Sequence, residues 1–377
     1  MRSFSTPLSR RSFLAGTTSL GALYAANKFA PLATMAQSPG LSNDPRIAQQ
    51  PVADKGFALV RKIGDGVYAT ISDRTKGMET RSNGGFVVGK DSAVLIEGFQ
   101  TPIGAAFQLE TLRSVTQVPI QAALNTHWHF DHTLGNTYYG GAGIPVWAHA
   151  DAAARMTSCF LRFQKEDLAR FLAPFEKRVK EAKTDIQRQH AQSDIEGVSS
   201  LFTFAMQSVL GVPSRPLDPA KMPIKIDLGG LTVVVEFYVG HTDTDLIFRI
   251  PERNVVYAGD LLVYGQYPTN INGYPTKWRA NVAKFAKFDK DTLFVPGHGQ
   301  VCGQEGVALM LALFDDMADQ AQKLYKAGVP VEEATERYVV PAKWKDMRQF
   351  SWGFCVGRTI EQHYAEWSGK PGPVLNY

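Results

Sequence analysis

The sequence predicts an α/β protein in which two sheets pack face to face and helices cover both outer faces. Three observations predict it. Short apolar runs of β-branched and aromatic residues, bounded by Gly, Asp and Asn, recur over residues 56–150 and again over 223–300. Between them, block 151–222 switches to helical spacing. Each half also has helical segments in or after it, so a sheet can bury one face on its partner and the other on helices.

Composition agrees. The 377 residues are 44% hydrophobic and 20% charged, which is ordinary globular usage with enough apolar matter for a sizeable core. The net charge of +4 equals the four basic residues Arg2, Arg10, Arg11 and Lys28 of an acid-free leader, so the body carries no net charge. A nucleic-acid partner, which needs a basic face on the folded domain, is not expected. Cys159, Cys302 and Cys355 are far apart and odd in number, so they spell neither a disulfide framework nor a Cys-type zinc site.

The leader comes first in chain order. Ser9-Arg10-Arg11-Ser12-Phe13-Leu14 precedes a weakly apolar stretch from Ala15 to Leu32 and the run Ala33-Thr34-Met35-Ala36. This resembles a twin-arginine export signal over residues 1–36, cleaved near Ala36, and implies a periplasmic protein. Asn27 and Lys28 interrupt the apolar stretch, which falls short of the roughly 20 apolar residues a membrane span needs. Residues 37–55, with Pro, Ser, Asn and Gln, are expected to be a flexible lead-in.

Strands are expected at Val67–Ile71, Gly85–Val88 and Ala93–Ile96, then a helix from Pro102 to Thr116, then strands at Ile120–Asn125 and Ile144–Ala148. In the block 151–222, Leu168, Phe171, Leu172, Phe175 and Val179 form the stripe of an amphipathic helix, and the whole block is expected to be helical. Strands resume at Ile224–Ile226, Leu231–Val239, Leu246–Ile250, Val255–Ala258 and Leu293–Val295. A helix from Glu305 to Lys326 carries Val307, Met310, Leu313, Phe314 and Met317. The expected organisation is one domain over 56–310 with a helical insert at 151–222, followed by a C-terminal helical extension over 311–377.

The most informative stretch is Asn125-Thr126-His127-Trp128-His129-Phe130-Asp131-His132, directly after an apolar strand. Alternation in an extended segment turns 127, 129 and 131 to one side, and a turn can bring His132 to the same cavity. Imidazole and carboxylate are ligands that zinc takes at about 2.0–2.2 Å. Three later strand exits each offer one more ligand beside glycine: Gly240-His241-Thr242, Gly259-Asp260 and Pro296-Gly297-His298-Gly299. A lone His or Asp at a strand end is usually structural. Three of them behind an HxHxDH cluster reverse that reading.

In the order and spacing of these motifs the chain resembles the metallo-β-lactamase superfamily over about residues 56–310. The resemblance implies an αββα sandwich with a site at one edge between the sheets. It implies that His127, His129 and His241 hold a first metal, that Asp131, His132 and His298 hold a second, and that Asp260 bridges them. The stretch from Gly240 to Val263 and the later Val295–Gly299 also look like zinc β-lactamases that use a cysteine ligand. Here that position is Asp260, and His132 follows the motif aspartate, which moves the pattern toward glyoxalase II and lactonase relatives. With its leader, the chain is similar to exported SoxH-like hydrolases.

The implied chemistry is hydrolysis of an ester, thioester or lactone of a small-molecule substrate. The expected cofactor is two zinc ions per chain, with iron or manganese as alternatives. Two cations roughly 3.5–4 Å apart lower the pKa of a shared water toward neutrality, so a metal-bridging hydroxide is the expected nucleophile. Asp131 is the expected catalytic residue, holding that nucleophile and passing its proton to the leaving group. Alternative readings are a β-lactam hydrolase, a mononuclear iron dioxygenase acting on a persulfide, and a metal-binding protein without turnover.

Other residues carry two readings each. Thr126 and Thr242 either orient ligands or close strands, and Glu97 either supports the motif loop from beneath or does not. His149 reads as a strand-end histidine, and His190 and His363 read as surface groups. Tyr264, Tyr267, Tyr274, Asn270 and Asn272 either line the mouth or pack. Trp128 and Phe130 are expected to point away from the ligands into the core. Phe160, Phe163, Phe171, Phe175, Phe202 and Phe204 in the insert serve packing, with a lid, substrate wall or dimer face left open, as is the oligomeric state.

Overall fold

The computed structural model describes residues 44–369. The expected export signal and the start of the lead-in lie outside the described residues. The first sheet contains β1 (Ala53–Asp54), β2 (Ala58–Gly64), β3 (Val67–Ser72), β4 (Gly84–Val88), β5 (Ala93–Ile96), β6 (Ile120–Leu124), β7 (Val146–His149) and β8 (Arg215–Leu217), in that spatial order. The second contains β9 (Ile224–Asp227), β10 (Thr232–Tyr238), β11 (Asp245–Ile250), β12 (Val255–Val263) and β13 (Leu293–His298), running β13-β12-β11-β10-β9. Pairing is antiparallel from β1 to β5 and from β9 to β12, whereas β5 to β8 and β12 to β13 are parallel.

The helices are α1 (Pro102–Val115), α2 (Phe130–Thr133), α3 (Asn136–Gly141), α4 (Ala152–Arg162), α5 (Leu168–Glu181), α6 (Asp185–Met206), α7 (Pro275–Phe285), α8 (Gln304–Lys326), α9 (Val331–Arg337) and α10 (Arg358–Trp367). Among the described residues, no helix is long and apolar enough to cross a membrane.

Strand alternation builds the layers. In β12, Val255 and Tyr257 face the first sheet, while Val256 and Ala258 face the outer helices. In β5, Val94 and Ile96 turn to the inter-sheet core and Ala93 and Leu95 turn to the α1 side. Strands buried on both faces read as unbroken apolar runs, and full burial of a side chain such as Phe248 contributes about 1.5–3 kcal/mol. The result is the expected αββα sandwich. α1 starts where Thr101 accepts from Gly104 N and Pro102 fills the first position.

Several expectations are corrected. The block 151–222 is helical only to Met206; it then leaves helix, and β8 joins the first sheet as its edge. Pro213, Pro216 and Pro219 explain the change, because proline ends a helix and is tolerated at an edge strand. Part of the expected flexible lead-in is built into the sheet: Ile47 is buried and Ala53–Asp54 pair with β2. β12 and β13 run on past Ala258 and Val295 to Val263 and His298, with register shifts around Gly259. α8 runs across residue 310, as the helix expected from Glu305 to Lys326 does.

Candidate metal centre

The site forms where several strands end along one edge between the sheets. His127 and His129 follow β6, Asp131 and His132 lie in the short α2, His241 follows β10, Asp260 lies in β12, and His298 ends β13. Close approach depends on glycine. A Cβ on Gly297 would stand 1.9 Å from Asp260 Oδ1, and one on Gly259, whose φ is +51°, would stand 2.5 Å from Thr126 Oγ1.

All seven ligand candidates converge. His127, His129 and His241 form one group, His127, His132 and Asp260 a second, and Asp131, His132 and His298 a third, with ligand atoms inside each group within 4.8 Å of one another. Asp260 joins the groups, since Oδ1 is 3.3 Å from His132 Nε2 and Oδ2 is 3.4 Å from His241 Nε2 and 3.2 Å from His298 Nε2. Asp131 Oδ2 lies 3.4 Å from His298 Nε2 and 3.9 Å from His132 Nε2.

Several rings have polar neighbours on the side away from the cluster. Asn272 Oδ1 is 3.1 Å from His129 Nε2 and accepts its proton, leaving the Nδ1 lone pair toward His241. Thr126 Oγ1, whose own proton goes to Glu97, is 3.0 Å from His127 Nδ1. Arg81 O is 3.3 Å from His298 Nδ1. Glu97 Oε1 approaches His132 Nδ1 at 3.1 Å, though off the hydrogen-bond direction. For His127 and His129 the acceptor behind the ring leaves the opposite nitrogen as a lone pair facing the cluster. The buried atoms His127 Nε2, His132 Nε2 and Asp260 Oδ1 have no hydrogen-bond partner there.

Electrostatics favour a cation at the same place. Burial, with His132, His129 and His241 nearby, pushes His127 well below the usual histidine value. Burial likewise takes His241 down to about 3, against the pull of Asp260. His132 goes the other way: burial lowers it, but Glu97, Asp260 and Asp131 together hold it well above its ordinary value. Carboxylates that stabilise a protonated ring stabilise a metal ion in its stead.

Supporting residues come from several loops. Glu97 is buried with a left-handed φ of 72°, and it accepts from Thr126 N at 3.4 Å. That places it beneath the motif loop, the first of its two readings. Thr242 N and Oγ1 donate to Asp245, which fixes the His241 turn, while burial raises the Asp245 carboxyl to about 8. Sequence reasoning did not single out Asp245, Arg74 or Arg81, since a polar residue in a loop or at the first position of a strand carries no periodic signal.

Other expectations divide. His149 is a buried strand-end residue against Phe237, as expected. His190 and His363 are not surface groups: His190 stacks on Trp352 at 3.6 Å, and His363 is buried beside Trp367. Of the loop after β12, Asn272 reaches the site. Tyr267 is instead buried in the core facing Tyr338, Tyr264 packs against the same core, and Asn270 is buried against Thr359. Tyr274 carries Lys277 over its ring and does not line the cavity. Trp128 and Phe130 are buried, yet they border the cavity rather than pointing wholly away from it. Phe163 and Leu201 place the insert on the cavity wall, which favours the substrate-wall reading.

Known proteins match in the same region. The metallo-beta-lactamase superfamily model matches residues 78–298. Hydroxyacylglutathione hydrolase of Ruegeria pomeroyi is 26% identical over 159 residues, covering 41% of this chain and 61% of that protein. The chain therefore spans less than two thirds of the length of that curated relative. A metallo-beta-lactamase from Pontibacter korlensis is a structural neighbour with TM-score 0.45 and 18% identity over 71% of this chain and 98% of its own. The solved structure of TMB-1 has TM-score 0.46 and 19% identity, over 68% and 97%.

Proposed function

The chain belongs to the metallo-β-lactamase superfamily, and from that premise we propose that it is a hydrolase that holds two divalent ions, zinc in the first instance, and cleaves an ester, thioester or lactone bond. The observation that carries the reading is the convergence of five imidazoles and two carboxylates, with His127 and His129 held from behind so that a lone pair of each faces the cluster. Buried nitrogens without hydrogen-bond partners are costly unless a cation takes them. Bound ions of this kind supply Lewis acidity and a water of lowered pKa.

His127, His129 and His241 would hold one ion, and Asp131, His132 and His298 the other, with Asp260 between them. The two carboxylates differ in access. The Asp131 side chain is 21% exposed and borders the cavity, whereas that of Asp260 is 6% exposed and enclosed by histidines. Asp131 Oδ2 is therefore the oxygen that takes a proton from the attacking water and returns it to the leaving group. Two complete ligand groups favour this reading over a one-iron dioxygenase. The leader further supports export to the periplasm by the twin-arginine route, which Lys at positions 10 and 11 would block.

The test is metal content together with turnover of a panel of thioesters, lactones, simple esters and β-lactams. Two zinc per chain and turnover of an ester, thioester or lactone are expected. One iron with oxygen uptake, or β-lactam cleavage alone, would overturn the reading.

A further inference from the structure

We infer that the substrate is an anionic amphiphile, an apolar acyl or alkyl body bearing a carboxylate, sulfonate or phosphate group that docks on Arg74 and Arg81 beside the metal centre. The inference rests on the hydrolytic reading above and specifies its substrate class.

The cleft over the site spans about 620 Å³ when the solvent at its open mouth is counted. Its lining combines the ligand cluster with the apolar Phe130, Phe163, Leu201, Ile271 and Phe350 and with Arg74 and Arg81. Apolar wall and guanidinium pair thus face the same space. A substrate that fills it has to satisfy both.

Arg81 is 7% exposed, and its backbone φ of 58° is a left-handed conformation that a non-glycine residue adopts only when its surroundings hold it there. Its guanidinium lies over the rings of Phe204 at 5.1 Å and Phe350 at 5.0 Å. Asp131, the carboxylate it approaches, is 4.0 Å away, at the limit of an ion pair, and is already a member of the metal-binding groups.

Arg74 is half-buried. Its Nε donates to Arg81 O at 2.8 Å, and its Nη2 lies against His298 Nδ1. Chemistry makes that second contact untenable in a loaded site. With His298 Nε2 given to a metal, Nδ1 carries the proton and donates to Arg81 O, so it cannot accept from a guanidinium. The outer nitrogens of Arg74 then need a different acceptor, and the cavity is where they face. Burial weighs most on Arg74, Arg348 and Arg81 crowd it with like charge, and Asp131 and Asp260, both given to the metal groups, offset only part of this. Guanidinium groups withdrawn from water in this way are stabilised by an anion bound through charge-assisted hydrogen bonds, and paired oxygens of a carboxylate, sulfonate or phosphate group fit that fork.

The experiment pairs nitrophenyl esters of equal chain length, one made from a dicarboxylic half-acid and one from the neutral monocarboxylic acid, on the protein as purified. The anionic ester is expected to show kcat/KM about ten-fold higher or more, mainly through KM. Arg74→Gln should lower kcat/KM about ten-fold more for the anionic ester than for the neutral one, and Arg74→Lys should recover part of that difference. Calorimetry with octanesulfonate, which is not hydrolysed, provides a readout apart from turnover: binding should weaken about ten-fold in Arg74→Gln. Equal kcat/KM for the two esters, or octanesulfonate binding unchanged by Arg74→Gln, overturns the inference while leaving the hydrolase in place. If neither ester is turned over and the thioesters and lactones of the panel are also untouched, the hydrolytic reading is what fails, and the calorimetry alone decides whether the anion site exists.

Discussion

On one side of the cavity, ligand side chains sit at strand ends or one turn beyond, and Gly259 and Gly297 let backbone and carboxylate approach where a single methyl would collide. On the other side, Phe163 packs against Phe130 at 5.6 Å and Phe202 at 4.9 Å, contacts between helices far apart in the chain. The first side is fixed by backbone and hydrogen bonds and has no spare volume. The second is fixed by side-chain packing, which tolerates substitution at a finite cost. Chemistry is accordingly expected to fail sharply when the first side is altered, and substrate preference to drift when the second is.

The largest effect expected is that of Asp131→Asn. It keeps shape and one metal-facing oxygen but removes the proton carrier, so kcat should fall about 10²–10⁴-fold with metal content largely retained. Full turnover in this variant would show that the exposed carboxylate of the ligand side does no acid–base work. Next is Glu97→Gln, which alters the acceptor behind Thr126 and His132 without touching a metal. Competition with a chromophoric chelator should show a 10–100-fold loss of zinc affinity, to order of magnitude. Unchanged affinity would mean that ring orientation is set by packing after all, and would erase the contrast between the two sides.

The same contrast explains what was legible in the sequence. All seven ligand candidates could be read because a strand and its exit carry them in fixed order, and local geometry does the rest. The strand Ala93–Ile96 and the helix from Pro102 were legible for a similar reason: burial on both faces gives an unbroken apolar run, and Thr101-Pro102 marks a helix start. Residues whose surroundings come from distant segments were not legible. His190 and His363 read as surface groups because Trp352 and Trp367 lie elsewhere in the chain or on another turn. Arg74 and Arg81 lie in a loop where neither periodicity nor motif applies, and the left-handed φ of Arg81, Glu97 and Phe99 has no glycine to announce it. β8 was hidden inside a block whose earlier part is helical.

On the packing side, Phe163→Ala sharpens the comparison. Removing a buried ring that touches Phe130, Phe171 and Phe202 should cost about 3–5 kcal/mol of stability, measured by denaturant unfolding. Steady-state kinetics should show KM raised with kcat nearly unchanged, the signature of lost binding rather than lost chemistry. A fall in kcat as large as that of Asp131→Asn would mean that the wall positions the reacting group itself.

The smallest expected effect concerns how this wall is anchored. Glu336 on α9 accepts from Arg178 Nη2 on α5 and His190 Nδ1 on α6, both at 2.9 Å, and His190 lies flat on Trp352. Arg178 Nη1 also donates to Asp194 Oδ2 at 2.7 Å, while Asp194 Oδ1 accepts from Gly353 N. Burial raises the Glu336 carboxyl, but His190 and Arg178 outweigh it and hold the group below its ordinary value. A carboxyl depressed in the folded state contributes stability that is fully present above its unfolded pKa of about 4.3 and is lost as pH falls through the folded value. Asp194 acts in the opposite sense, because burial raises it despite Gly353 and Arg178, so it offsets part of the acid sensitivity. Glu336→Gln should therefore cost about 1–2 kcal/mol near neutral pH, and the gap from the unmodified protein should close as the pH drops below about 4. Loss of metal under acid affects both proteins alike and cancels in the difference. A gap that stays constant with pH would mean that Glu336 acts through shape alone, and that the wall is held by packing without the ionic tie.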